Sequence, residues 1–257
     1  MSVSLWGVWC VWQRYFDVFK RNIGYGLFTT FLEPFLFLAS FGFGLGVLIP
    51  DLHLDGMTVT YRQFVLAGIV GQAVLFQSFF EAAYGGFVRM YYQKIFHAMA
   101  MTPITLKEVI MGELLWDASK ATFSAFSVIL VGMFLGDFSW TGGFLVGLPL
   151  VFLGSLLFAA LGFLAAAKSA SIDAISYPQY IVVFPMFLFC GVFFPLTNLP
   201  QVVQWIAWIF PLTSFLSILR SAVLGLHWNI FAPVSMLVWM LILIPWSYRA
   251  MQKRLVH

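Results

Sequence analysis

The chain has 257 residues, 62% of them hydrophobic and only 9% charged, with thirteen Lys and Arg against ten Asp and Glu for a net charge of +3. A soluble domain carries roughly 25% charged residues, so this composition excludes a water-soluble globule, which would lack the polar groups to cover its surface. The basic excess is small and scattered over separate segments, which excludes a nucleic-acid interface and leaves membrane lipid as the solvent.

Residues 1–22 predict an interfacial helix, because Leu5, Trp9, Trp12, Phe16 and Phe19 fall on one helical face and Arg14, Asp17 and Arg21 on the other. The charges follow the aromatics instead of preceding a short apolar core, so the segment does not read as a cleavable signal. A hydrocarbon core of about 30 Å takes about 20 helical residues to cross. Six runs are long enough: 26–49, 63–87, 109–135, 142–167, 174–195 and 230–248. They lack the polar and apolar alternation of barrel strands, so the fold class is an all-α integral membrane protein with six transmembrane helices. With the N-terminus inside, ten of the thirteen basic residues lie on the cytoplasmic side: Arg14, Lys20, Arg21, Arg89, Lys94, Lys107, Lys168, Arg249, Lys253 and Arg254. Pro200 and Pro211 split 196–229 into pieces shorter than a crossing. These predict two short re-entrant helices at the outer face, the second opened by Thr213 as N-cap and closed by Gly225. Both termini are then cytoplasmic.

The longest inner connection is 88–108, a mixed aromatic and basic stretch. Thr102-Pro103 predicts the end of a short helix there, and Thr105 with Glu108 predicts a capping box ahead of the third span. Ionisable residues inside a membrane cost about 2.5–3.5 kcal/mol each at mid-span. Glu33, Glu81, Glu113, Asp117 and Lys120 all map to the cytoplasmic half of spans one, two and three. Glu113, Asp117 and Lys120 share one face of the third helix, where Asp117 and Lys120 are expected to pair. The group reads as a charge network holding the inner helix ends together, or as an inner entrance that contacts a sugar or cationic headgroup. Gly42, Gly44 and Gly46, and Gly143 with Gly147, predict close helix contacts. The four histidines are scattered and Cys10 and Cys190 are too far apart to pair, so no metal site is expected. No phosphate-binding loop or catalytic elbow occurs, so any ATP must be bound by another chain.

GVFFPLTNLP (Gly191 to Pro200), followed by QWIAWIFPLTSFLSILR (Gln204 to Arg220), resembles the C-terminal signature of the type-2 ABC exporter permeases. LAGIV (Leu66 to Val70), AMTPIT (Ala100 to Thr105) and Glu33-Pro34 extend the resemblance over the whole chain, which looks most like the NodJ-type permeases that export nodulation lipo-oligosaccharides. The resemblance implies a half-transporter of the bacterial inner membrane: two copies of this chain and two ATP-binding-cassette ATPase subunits, with ATP and magnesium on the ATPases and no cofactor on this chain. It implies that Arg89, Tyr92, Gln93, Lys94, Ile95, Phe96 and Met99 form a coupling helix docking into the ATPase. It also implies a pathway along spans two and five, with Phe76, Phe80, Tyr84, Phe189 and Phe193 as an apolar gate for an acyl chain. A drug or peptide cargo is the alternative within the family. Outside it stands a membrane-embedded transferase, for which no convergent catalytic pair is seen.

Overall fold

The computed structural model describes residues 3–24, 28, 32, 35–46, 48–54, 56–134 and 142–256. Helix α1 (Leu5–Arg21) buries Gly7, Val8, Val11 and Tyr15, not the full aromatic face the sequence predicts. Leu5 and Trp9 point outward, while Trp12, Phe16 and Phe19 pack at the edge of the core. The reason is closeness of approach. A Cβ added to Gly112 would stand 2.6 Å from that of Val11, so only a flank of small and β-branched residues fits against this neighbour, and the bulky Trp9 is left for lipid.

The predicted first span, 26–49, lies partly outside the described residues, and Glu33 is among those excluded. Toward its C-terminal end, Leu38–Leu45 is π-helical. A short antiparallel hairpin follows, β1 (Leu52–Leu54) paired with β2 (Met57–Val59) in the register Leu52 to Val59. It adds a small strand element to an otherwise helical chain.

Helix α2 runs from Tyr61 to Tyr92. Thr60 and Gln63 close a capping box at its start, which sets the first turn earlier than the predicted Gln63. At its C-terminal end the helix continues beyond the predicted Phe87 through two π-helical turns, Glu81–Gly85 and Val88–Tyr92. Of its most apolar window, 83% is buried, against 22% for the last helix, so α2 is the central column and the last helix a peripheral one. After Lys94, held in the left-handed region at φ 52°, comes the short helix α3 (Ile95–Ala100).

Thr105 and Glu108 then form the expected capping box. The Thr105 amide donates to Glu108 Oε2 at 2.7 Å, and the Glu108 amide donates to Thr105 Oγ1 at 3.4 Å, starting α4 (Leu106–Phe134). The other oxygen, Glu108 Oε1, accepts from the Ser4 amide at 2.7 Å, so one buried carboxylate caps two helices. Thr105→Ala is therefore expected to cost about 1 kcal/mol and Glu108→Ala about twice that. Thermal midpoints in detergent would check the order.

Helix α5 (Gly142–Lys168) and the last helix, α9 (Phe231–Val256), complete the long elements. The predicted fifth span, 174–195, is a broken run. It passes through a 3-10 turn, a short α turn and a π turn over 173–183 before α6 (Phe184–Phe189). Pro178 and Pro185 each remove a backbone donor, which shifts the hydrogen-bond ladder there. Helices α7 (Gln201–Ile209) and α8 (Pro211–Leu224) meet at a 90° bend. Pro211 takes the first helical position of α8, so Phe210 is the N-cap and Thr213 is not. The Thr213 hydroxyl instead donates back to the Ala207 carbonyl at 2.5 Å. Gly225, at φ 73°, closes α8 as expected. Among the described residues four helices are long and apolar enough to cross a membrane, or five if the bent pair counts as one span.

Close approaches fall mainly on glycines outside the predicted set, although a Cβ at Gly42 would meet Leu38 at 3.1 Å and Arg62 Cγ at 3.7 Å, and one at Gly46 would lie 2.0 Å from the Gly42 carbonyl oxygen. A Cβ at Gly68 would lie 2.1 Å from the Val192 carbonyl oxygen, and one at Gly162 would lie 2.6 Å from that of Phe79. Gly44 has nothing within 4 Å, and Gly147 only Val223 at 3.9 Å. At the C-terminal end of α5 the Arg254 guanidinium donates to the carbonyls of Ala166 (2.8 Å), Ala167 (3.1 Å) and Ser169. It thereby caps α5 at the negative end of its dipole and ties α9 to it.

Candidate functional site at the charge cluster of the second and fourth helices

The π-helical turns of α2 bring Arg89 inward. Its guanidinium donates to Glu81 Oε1 at 2.8 Å, to Asp117 Oδ1 at 3.1 Å and to Glu113 Oε1. Lys120 pairs with the other Glu81 oxygen at 2.5 Å. The expected pair of Asp117 with Lys120 is thus replaced. Arg89 takes Asp117, and Glu81 on α2 takes Lys120 on α4. Arginine suits the centre because its planar fork of donors serves three acceptors at once, which an ammonium would do with poorer geometry. Glu113 and Asp117 are 0% exposed, so the cation is what makes their burial tolerable. The network joins Glu81 and Arg89 of α2 to Glu113, Asp117 and Lys120 of α4.

Tyr15 of α1 closes the cluster from the side, its ring centroid 5.4 Å from the Arg89 guanidinium. Burial, reinforced by the Glu113 carboxylate nearby, pushes the Tyr15 hydroxyl well above the ordinary phenol value, so it stays protonated. Beside the cluster opens a cavity of about 530 Å³ whose walls include Arg14, Tyr15, Glu81, Tyr84, Gln93 and Lys120.

The segment predicted as a coupling helix divides in two. Phe96 (0%) and Met99 (8%) are buried in the core, whereas Tyr92, Gln93 and Lys94 are exposed and Ile95 is half-buried. Arg89 is not part of the exposed face, because the continued helix turns it into the acidic cluster. The result is a short, rooted projection: Phe96 and Met99 anchor α3, Arg89 fixes the helix end before it, and the capping box fixes the helix start after it.

A family model described as ABC-2 type transporter matches residues 7–224. The chain belongs to this family. The match runs from α1 through α8 and so contains the whole cluster and the projection. This ABC-2 permease is 31% identical over 215 residues to Nodulation protein J of Rhizobium leguminosarum bv. viciae, covering 84% of this chain and 81% of that protein. It is 30% identical over 220 residues to Nodulation protein J of Rhizobium meliloti, covering 86% and 82%. The inner membrane transport permease YadH of Escherichia coli is 24% identical over 217 residues, covering 84% and 82%. The chain is a multi-pass membrane permease of the ABC exporter type.

In this permease four of the five residues read as an apolar gate meet inside one chain. Phe76 lies 5.5 Å from Phe80, 5.8 Å from Phe184 and 4.8 Å from Phe187 between ring centroids. Phe187 lies 5.3 Å from Phe193, which stacks on Phe41 at 4.3 Å. Tyr84 ends the series, 6.0 Å from Phe80, and its hydroxyl donates to Gln179 Oε1 at 2.6 Å. Phe189 stands apart and is exposed. Sequence reasoning missed Arg89 as the counter-ion, and the available signal was its charge match to Glu81, Glu113 and Asp117.

Proposed function

We propose that this permease is one of two membrane halves of an ATP-driven exporter in a bacterial inner membrane. Each half crosses six times with both termini in the cytoplasm, and the outer bent pair is re-entrant. Two ATP-binding-cassette subunits bind ATP and magnesium and drive the cycle. What carries the reading is the rooted projection. Tyr92, Gln93 and Lys94 are exposed on a segment that cannot move without moving α2 and α4, because Arg89 ties both helices together within a few residues of it. A separate motor pressing on α3 would therefore shift two central helices at once.

The cargo in this reading is an amphiphile, a lipo-oligosaccharide or a polysaccharide lipid. Support comes from the likeness to proteins named Nodulation protein J over more than four-fifths of the chain. The cavity beside Glu81 and Lys120 is the inner entrance for the polar headgroup, and the series Phe76, Phe80, Tyr84 and Phe193 is the apolar gate for the acyl chain. Phe189, exposed on the same broken run, faces the second copy. Co-purification with the cognate ATPase and measurement of its hydrolysis in lipid test the proposal. Stimulation severalfold by a lipo-oligosaccharide is expected. Stimulation by hydrophobic drugs or peptides alone would move the cargo to the other class, and hydrolysis indifferent to the permease would sink the proposal.

A further inference from the structure

Arg220 of α8 is a cation without a carboxylate partner among the described residues. One guanidinium nitrogen, Nη2, donates to the Gly191 carbonyl at 2.7 Å and to the Val192 carbonyl at 3.3 Å, and it lies 3.5 Å from the Phe64 carbonyl of α2. The guanidinium carbon sits 3.7 Å over the Phe64 ring, and the buried Nε has no hydrogen-bond partner. A charge in this setting is costly, and its partners explain what it does. Helix α6 ends at Phe189 and Gly191 turns left-handed at φ 81°, leaving the next carbonyls outside the helical ladder at the negative end of the helix. These are acceptors that suit a cation. The same turn packs directly on α2, where Gly68 leaves room for the Val192 carbonyl. One side chain of the bent pair therefore fastens the turn after α6 to α2. Charge-assisted bonds from a guanidinium to neutral carbonyls are weaker than the guanidinium–carboxylate pairs of Arg89 and are broken more readily.

We propose that Arg220 is a positioning residue of the export cycle, a latch that keeps the α7–α8 hairpin closed on the Gly191–Phe194 turn and releases when the outer face opens. The proposal rests on the exporter reading, and its test separates the two. Cys190 is a built-in reporter. It is 1% exposed and directly precedes the latched turn, and its thiol packs under α7, 3.9 Å from the Ala207 carbonyl. In a C10A background Cys190 is the remaining thiol, so its reaction with a membrane-impermeant maleimide can be followed from the outer side.

At rest, without nucleotide, the parent is expected to react slowly. R220M and R220Q are expected to react at least tenfold faster, and R220K, which keeps a donor to the carbonyls, is expected to stay near the parent. R220K guards against misfolding of the neutral variants, since loss of labelling contrast between it and R220Q in monodisperse, membrane-inserted protein overturns the latch. The resting comparison needs no ATPase and so stands even if the exporter reading fails. With the ATPase present, ATP is expected to speed labelling of the parent toward the R220Q rate. Parent labelling unchanged by turnover, with R220Q still fast, would leave a static tie and overturn the release step.

Discussion

Arg89→Met is expected to be the most damaging single substitution in the chain, costing about 3–5 kcal/mol of stability by stranding buried acids. Glu113 and Asp117 are fully buried, and Glu113 Oε2 and Asp117 Oδ2 have no hydrogen-bond partner. Removing the guanidinium leaves both buried carboxylates without the cation that pairs with them. Arg89→Lys restores the charge without the three-way fork and is expected to recover part of the loss. The informative variant is the triple change Arg89→Met, Glu113→Gln and Asp117→Asn. With the charges gone together, burial no longer demands a counter-ion, and stability is expected to return while ATPase coupling does not. Thermal unfolding in detergent, read alongside substrate-stimulated hydrolysis, separates the two effects. Full recovery of both would mean that the network only holds the helices together.

The second large effect is expected at Gly68→Ala. An added Cβ would meet the Val192 carbonyl oxygen at 2.1 Å, and a backbone atom cannot rotate aside as a side chain would. Helix α2 must then back away from the turn after α6, so the loss should lie at or above the roughly 1–3 kcal/mol typical of overpacking. The same displacement would pull the Gly191 and Val192 carbonyls from Arg220. Gly44→Ala serves as the control, since nothing lies within 4 Å of that position, and its effect should stay within about 0.5 kcal/mol. Paired melting curves check the contrast.

Several features were legible in the sequence because they are local. The capping box of Thr105 and Glu108 needs only a spacing of three residues, and the helix stop at Gly225 needs only a residue that tolerates positive φ. The face shared by Glu113, Asp117 and Lys120 follows from the helical repeat. What escaped depends on departures from that repeat or on partners far along the chain. Arg89 reads as a loop residue until two π-helical turns carry α2 through to Tyr92, and its partners on α4 are 24 and 28 residues away. The burial of Val8 and Val11 in place of Trp9 depends on Gly112, and nothing in α1 itself announces it. Thr213 misled because hydroxyl residues favour N-caps in general, whereas the rigid ring of Pro211 fixes the first helical position. The close-contact glycines followed the same pattern: Gly68 and Gly162 matter because of a turn and a helix they meet, not because of a glycine spacing.

Force from a separate ATPase is proposed to enter through the projection around α3. A photo-crosslinking residue placed at Tyr92 in the membrane-embedded complex tests it most directly, with one at the exposed Trp228, beyond α8, as the comparison. An adduct with the ATP-binding-cassette subunit is expected from position 92 and none from position 228. An ATPase adduct from position 228, with position 92 silent, would contradict it.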